Sequence, residues 1–76
     1  MTLSEFKKHM DYLVGCVNFV YNNYSCGIDP LGRTQYDMWY GDDAITVNSI
    51  EEILNRKFFD GKSLSEIWDD VTELEY

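Results

Sequence analysis

Apolar residues recur every three or four positions over the first third of the chain: Phe6, Met10, Leu13, Val17, Val20 or Tyr21, and Tyr24. That is the spacing of one face of an α-helix. Lys8, Asp11, Gly15, Asn18 and Asn22 fall largely on the other side. Thr2, with Glu5 three residues on, makes a capping box: a hydroxyl accepts from the first free amides and a carboxylate reaches back to the cap. Gly27, with Ile28 and Pro30 after it, suits a C-terminal stop. The pattern predicts a helix over residues 3–24. One stretch is discordant, because Val17-Asn18-Phe19-Val20-Tyr21 is rich in strand formers. Ser25 to Arg33 holds two glycines and the only proline, and reads as a loop.

The period then changes to two. Tyr36, Met38 and Tyr40 lie on one side and Gln35, Asp37 and Trp39 on the other, and Ile45 and Val47 share a face over Ala44 to Asn48. Gly41-Asp42-Asp43 between them supplies turn chemistry, so a β-hairpin is expected. Two strands alone are marginal in water and need helices against one face. Ser49 with Glu52 is a second capping box, opening a short helix with Ile50, Ile53 and Leu54 inward, which Phe58 to Lys62 breaks. Ser63 with Glu66 is a third, ahead of a buried stripe of Leu64, Ile67, Trp68, Val71 and Leu74. The expectation is a small α+β domain spanning residues 1–76 in the order α-β-β-α-α. Its hairpin packs against a long N-terminal helix and two short C-terminal helices.

Composition narrows the class. With 45% hydrophobic and 16% aromatic residues, the chain is too apolar for disorder even at a net charge of −8. No apolar run approaches the ~18 residues of a membrane span. The N-terminus lacks the basic-then-apolar order of a signal peptide, and a cytoplasmic protein is expected. Cys16 and Cys26 form no Cys-x-x-Cys pair and read as free thiols.

The charge is uneven. Over residues 1–36, Lys7, Lys8 and Arg33 balance Glu5, Asp11 and Asp29; over 37–76, three cations face eleven carboxylates. Such a surface repels nucleic acid and anionic lipid and favours a basic partner.

No catalytic motif competes with that reading. His9 has no Ser or Cys three or four residues away. Asp42-Asp43 and Asp69-Asp70 are adjacent pairs, not the alternating oxygen ligands of a calcium loop. There is no Cys/His cluster for zinc and no glycine-rich phosphate loop. Neither an enzyme nor a metal or other cofactor is expected. In the predicted last helix Glu66, Asp69, Asp70 and Glu73 would share an arc of about 100° opposite the apolar stripe. Like charges four apart there would cost about 0.2–0.5 kcal/mol each. These four, with Asp42 and Asp43 at the hairpin tip and Trp39 on the side of the hairpin opposite Tyr36 and Tyr40, are the expected partner-binding residues.

Two stretches, Tyr36-Asp37-Met38-Trp39-Tyr40-Gly41 and Phe58-Phe59-Asp60-Gly61-Lys62-Ser63-Leu64, resemble small acidic proteins carried by phages and mobile elements of Gram-positive bacteria. The resemblance implies a bacterial cytosolic setting and no established activity. Small acidic phage proteins include anti-CRISPR and anti-restriction inhibitors that imitate DNA, an analogy of charge and size. The functional expectation is a non-enzymatic binding or inhibitor module that docks on a basic, nucleic-acid-binding protein, in its strong form as a DNA mimic. The alternative is a structural or assembly subunit whose exposed aromatics bind an apolar partner or a second copy as a homodimer.

Overall fold

In the computed structural model, which describes residues 1–76, a five-stranded antiparallel sheet carries its helices on one face. Helix α1 (Leu3–Asp11) leads into β1 (Val17–Tyr21), β2 (Tyr24–Gly32), β3 (Gln35–Tyr40) and β4 (Asp43–Val47). Helices α2 (Ile50–Asn55) and α3 (Leu64–Ile67) follow, then a 3-10 turn (Trp68–Asp70) and β5 (Thr72–Glu75). The spatial order is β4-β3-β2-β1-β5, so the last strand returns to the edge beside the first. The small α+β domain is as expected, but its order is α-β-β-β-β-α-α-β rather than α-β-β-α-α.

The first correction is the long helix, which ends after nine residues. Tyr12 caps it, and Leu13 takes a left-handed φ of 54° that no helix continues. The strand-forming run then wins: Val17 and Phe19 are buried while Asn18 and Val20 point away. Asn22 and Asn23, with φ of 56° and 66°, close a two-residue hairpin of the type that needs positive φ at both positions. The segment from Ser25 to Arg33 is consequently a strand for most of its length, with Cys26 and Ile28 inward and Ser25, Gly27 and Asp29 outward. Pro30 is tolerated because β1 begins opposite Ile28, leaving β2 an edge there, and a bulge follows between Pro30 and Gly32.

The hairpin read from period two is present, pairing Tyr40 with Asp43 across Gly41-Asp42. The second correction is the last helix, which stops at Ile67, becomes a 3-10 turn and gives way to β5. A helical continuation would have stacked Glu66 over Asp70 and Asp69 over Glu73. Thr72 and Glu75 instead pair with Val20 and Asn18 on the free edge of β1.

The core lies between helices and sheet. Phe6 and Met10 of α1, Ile53 of α2, and Leu64 and Ile67 of α3 are fully buried over Val17, Ile28, Met38 and Val47. Trp68 rests on Phe6 at 5.3 Å between ring centroids, and its Nε1–H donates to the Met1 carbonyl at 3.1 Å. Phe59, from the segment between α2 and α3, meets Phe19 at 5.8 Å and Tyr40 at 6.0 Å. Val71 and Leu74 pack against this core only in part. Cys16 and Cys26 are free, the first exposed and the second buried, where burial raises the Cys26 thiol above its ordinary pKa. No helix is long and apolar enough to cross a membrane.

Candidate partner-binding surface

Because the helices cover one face of the sheet, its other face is bare. Alternation decides what it shows: Trp39 and Ala44 stand beside Gly27, Asn18 and Glu75 in one row, and Thr46, Asp37 and Asp29 in the next. None of the five strands contains a Lys or Arg. The sheet and its turns carry Asp29, Asp37, Asp42, Asp43, Glu73 and Glu75 against a single cation, Arg33. Arg33 turns back onto α1, with its guanidinium 3.6 Å from the Asp11 carboxylate and 3.3 Å from the Asp11 carbonyl. The other five cations lie on the helices or the segments joining them. An asymmetry along the chain has become an asymmetry between layers.

Trp39 occupies the open face, opposite in parity to buried Tyr36 and Met38. Its indole lies on Gly27, where an added Cβ would stand only 2.7 Å from ring atom Cε2. Covering a strand glycine with an aromatic ring stabilises a sheet that the missing side chain would weaken. Beside it, Asp29 sits directly opposite Asp37, and like charges in that position are destabilising. Thr46 Oγ1 donates to Asp37 Oδ1 at 2.8 Å, while the Asp29 carboxylate has no bonded partner. Asp29, Asp37, Trp39, Ala44 and Thr46 line one shallow concavity.

A second concavity sits at the turn end of the sheet, where Asp42 and Asp43 meet Asp60, Asn22, Tyr24 and Tyr40. Tyr24 is 52% exposed and packs edge-on against Tyr40 at 5.0 Å. Asn22 Nδ2 donates to Tyr40 Oη at 2.9 Å. Asp60, at φ 56°, opens the tight turn that brings Lys62 back to Phe59. Asp29, Asp37, Asp60 and Tyr24 were not among the partner-binding residues expected from sequence. Asp37 shares Trp39's side of the hairpin in the sequence pattern, whereas Asp29's alternation with Gly27 was hidden in an apparent loop.

The predicted acidic stripe does not exist as one helix face. Glu66 lies in the first turn of α3, while Asp69 and Asp70 are the exposed residues of the 3-10 turn. Glu73 belongs to β5, at φ 52°, and lines a concavity with Glu75, Asn18 and Ser25. Glu66 is already engaged: it pairs with Lys57 and accepts from the Ser63 amide at 3.0 Å, closing the capping box. The Lys57 ammonium, followed by the Ser63 bonds, holds its carboxyl down at about 2.

A depressed carboxylate stabilises the fold above its unfolded pKa, and that contribution is lost on acidification. For Glu66 the window runs from the ordinary 4.5 down to about 2. Glu66→Gln should therefore flatten the fall of unfolding midpoint with pH across that window, read by denaturant titration at several pH values. Identical profiles for variant and wild type would show that the pair does not persist in solution.

His9 Nε2 is bonded to the Gly15 carbonyl at 3.1 Å. No group of three His, Cys, Asp or Glu side chains is placed to hold a metal ion. No protein-family model, curated protein or solved structure matches the chain.

Proposed function

We propose that this protein is a non-enzymatic acidic binding module of the bacterial cytoplasm. It docks the open face and turn end of its sheet on a basic, nucleic-acid-binding protein, and inhibits that protein by occupying its groove. The supporting observation is the segregation of charge: five strands without a Lys or Arg, and five of the six cations in the helical layer. Solubility alone is served as well by interspersed signs, whereas a one-signed face steers and orients an oppositely charged partner. The partner-binding residues on this reading are Trp39, Asp42, Asp43 and Glu73, joined by Asp29, Asp37 and Asp60. Asp69 and Asp70 flank the turn end, and Glu66 has a capping role instead.

The test begins with capture of a partner on immobilised protein and continues with its affinity at rising salt. Affinity should fall steeply between low and physiological salt, as screened contacts do. Asp37→Lys combined with Asp42→Lys should abolish it, and Glu51→Lys on α2 should not. Salt-indifferent association that survives the double variant would defeat this reading. It would favour assembly through the opposite end of the sheet, where Tyr12, Val14 and Tyr76 are 71%, 66% and 69% exposed.

A further inference from the structure

We propose that the concavity around Trp39 is a socket for one arginine side chain of the partner, with the guanidinium stacked on the indole and clamped by Asp29 and Asp37. This rests on the reading of a basic partner and names the side chain that the open face takes. The floor is the ring. Gly27 offers no Cβ, so the indole lies down on β2, and Trp39 lines the concavity with Asp29 and Asp37. Trp39 is partly exposed.

The walls are the two carboxylates. Asp37 is two residues before Trp39 on the same face of β3, about 7 Å along the strand. Asp29 is directly across from Asp37, with Cβ atoms about 5 Å apart. Thr46 occupies one oxygen of Asp37, which leaves the other oxygen and both of Asp29 as acceptors. Covering Gly27 accounts for the indole. Nothing within the fold accounts for two aspartates facing each other with no cation paired to either, since neither ion pair of the protein involves them.

Guanidinium fits both parts together. It is planar and weakly hydrated, so it stacks on an indole face, and its donors radiate in the plane toward carboxylates at its rim. An ammonium is a compact, strongly hydrated point charge that cannot stack and bridge in this way. Phosphate-bearing ligands are repelled by the same carboxylates.

The probes are a short peptide of alternating Gly and Arg and its Lys and citrulline counterparts. Binding is followed through the Trp39 indole N–H resonance, distinct from that of buried Trp68. The Arg peptide should bind about tenfold more tightly than the Lys peptide and shift that resonance, while the citrulline peptide should not bind. Asp29→Asn with Asp37→Asn is close to isosteric and relieves repulsion, so the variant folds, and the preference for Arg should vanish. Trp39→Leu should weaken the Arg peptide more than the Lys peptide. Equal, salt-sensitive binding of both peptides, unaffected by these variants, would overturn the socket and leave the acidic docking surface standing. Failure of both peptides to bind at low salt would overturn both readings.

Discussion

Trp68→Ala should leave most of the protein unfolded at room temperature, a loss of about 3–5 kcal/mol. The indole is 9% exposed, packs on Phe6 at 5.3 Å and approaches Phe19 at 6.5 Å. Its N–H holds the Met1 carbonyl, so the ring joins both ends of the chain to the core. A single core in a chain below about 80 residues supplies net stability of only ~3–5 kcal/mol, so the truncation removes nearly all of it. Trp68→Phe separates the parts: it keeps most of the packing and loses the hydrogen bond, at about 1 kcal/mol plus a modest cavity. Denaturant unfolding followed by far-UV circular dichroism reads both. An unchanged midpoint for the alanine variant would mean that the 3-10 turn is not part of the core.

The hairpin of β3 and β4 was legible because Tyr36 to Val47 keeps strict alternation around Gly41-Asp42. Two of the three capping boxes close in full, at Thr2 with Glu5 and Ser63 with Glu66. At Ser49 the hydroxyl accepts from Glu52 as read, but the Glu52 carboxylate reaches the Asn48 amide instead. The first helix was misjudged because Val17 and Tyr21 satisfy both a period of two and a period of four. Asn22-Asn23, the turn that decides between them, lacks the glycine that usually marks such hairpins. β5 could not be read locally at all. Thr72 is a strand residue because Val20, 52 positions earlier, offers a free edge, and helix caps say nothing of that.

The same limit governed the site. Composition located the excess of negative charge, but periodicity assigned it to a helix that pairing across the sheet dissolved. Asp42 kept its place in the turn, and Asp43 opens β4 directly beside it, because that turn is local. Trp39 kept its side because β3 was correctly placed, yet its neighbours Gly27 and Asp29 lay in a segment read as loop. A site assembled across strands becomes visible only once their register is known.

That register makes a sharp prediction at Gly27. Gly27→Val should destabilise the protein by about 1–3 kcal/mol, because the new side chain must displace the Trp39 ring from its bed. Intrinsic preference points the other way: valine is a good strand former, and glycine within a strand is unfavourable by roughly 0.5–1 kcal/mol. With Trp39→Val as background the obstruction is gone, and Gly27→Val should then be neutral or stabilising. The effect changes sign with the residue across the strand, a coupling of about 1–3 kcal/mol in a double-mutant cycle. Unfolding free energies of the four proteins measure it. If Gly27→Val has the same effect in both backgrounds, the indole does not rest on Gly27, and the arginine socket loses its floor.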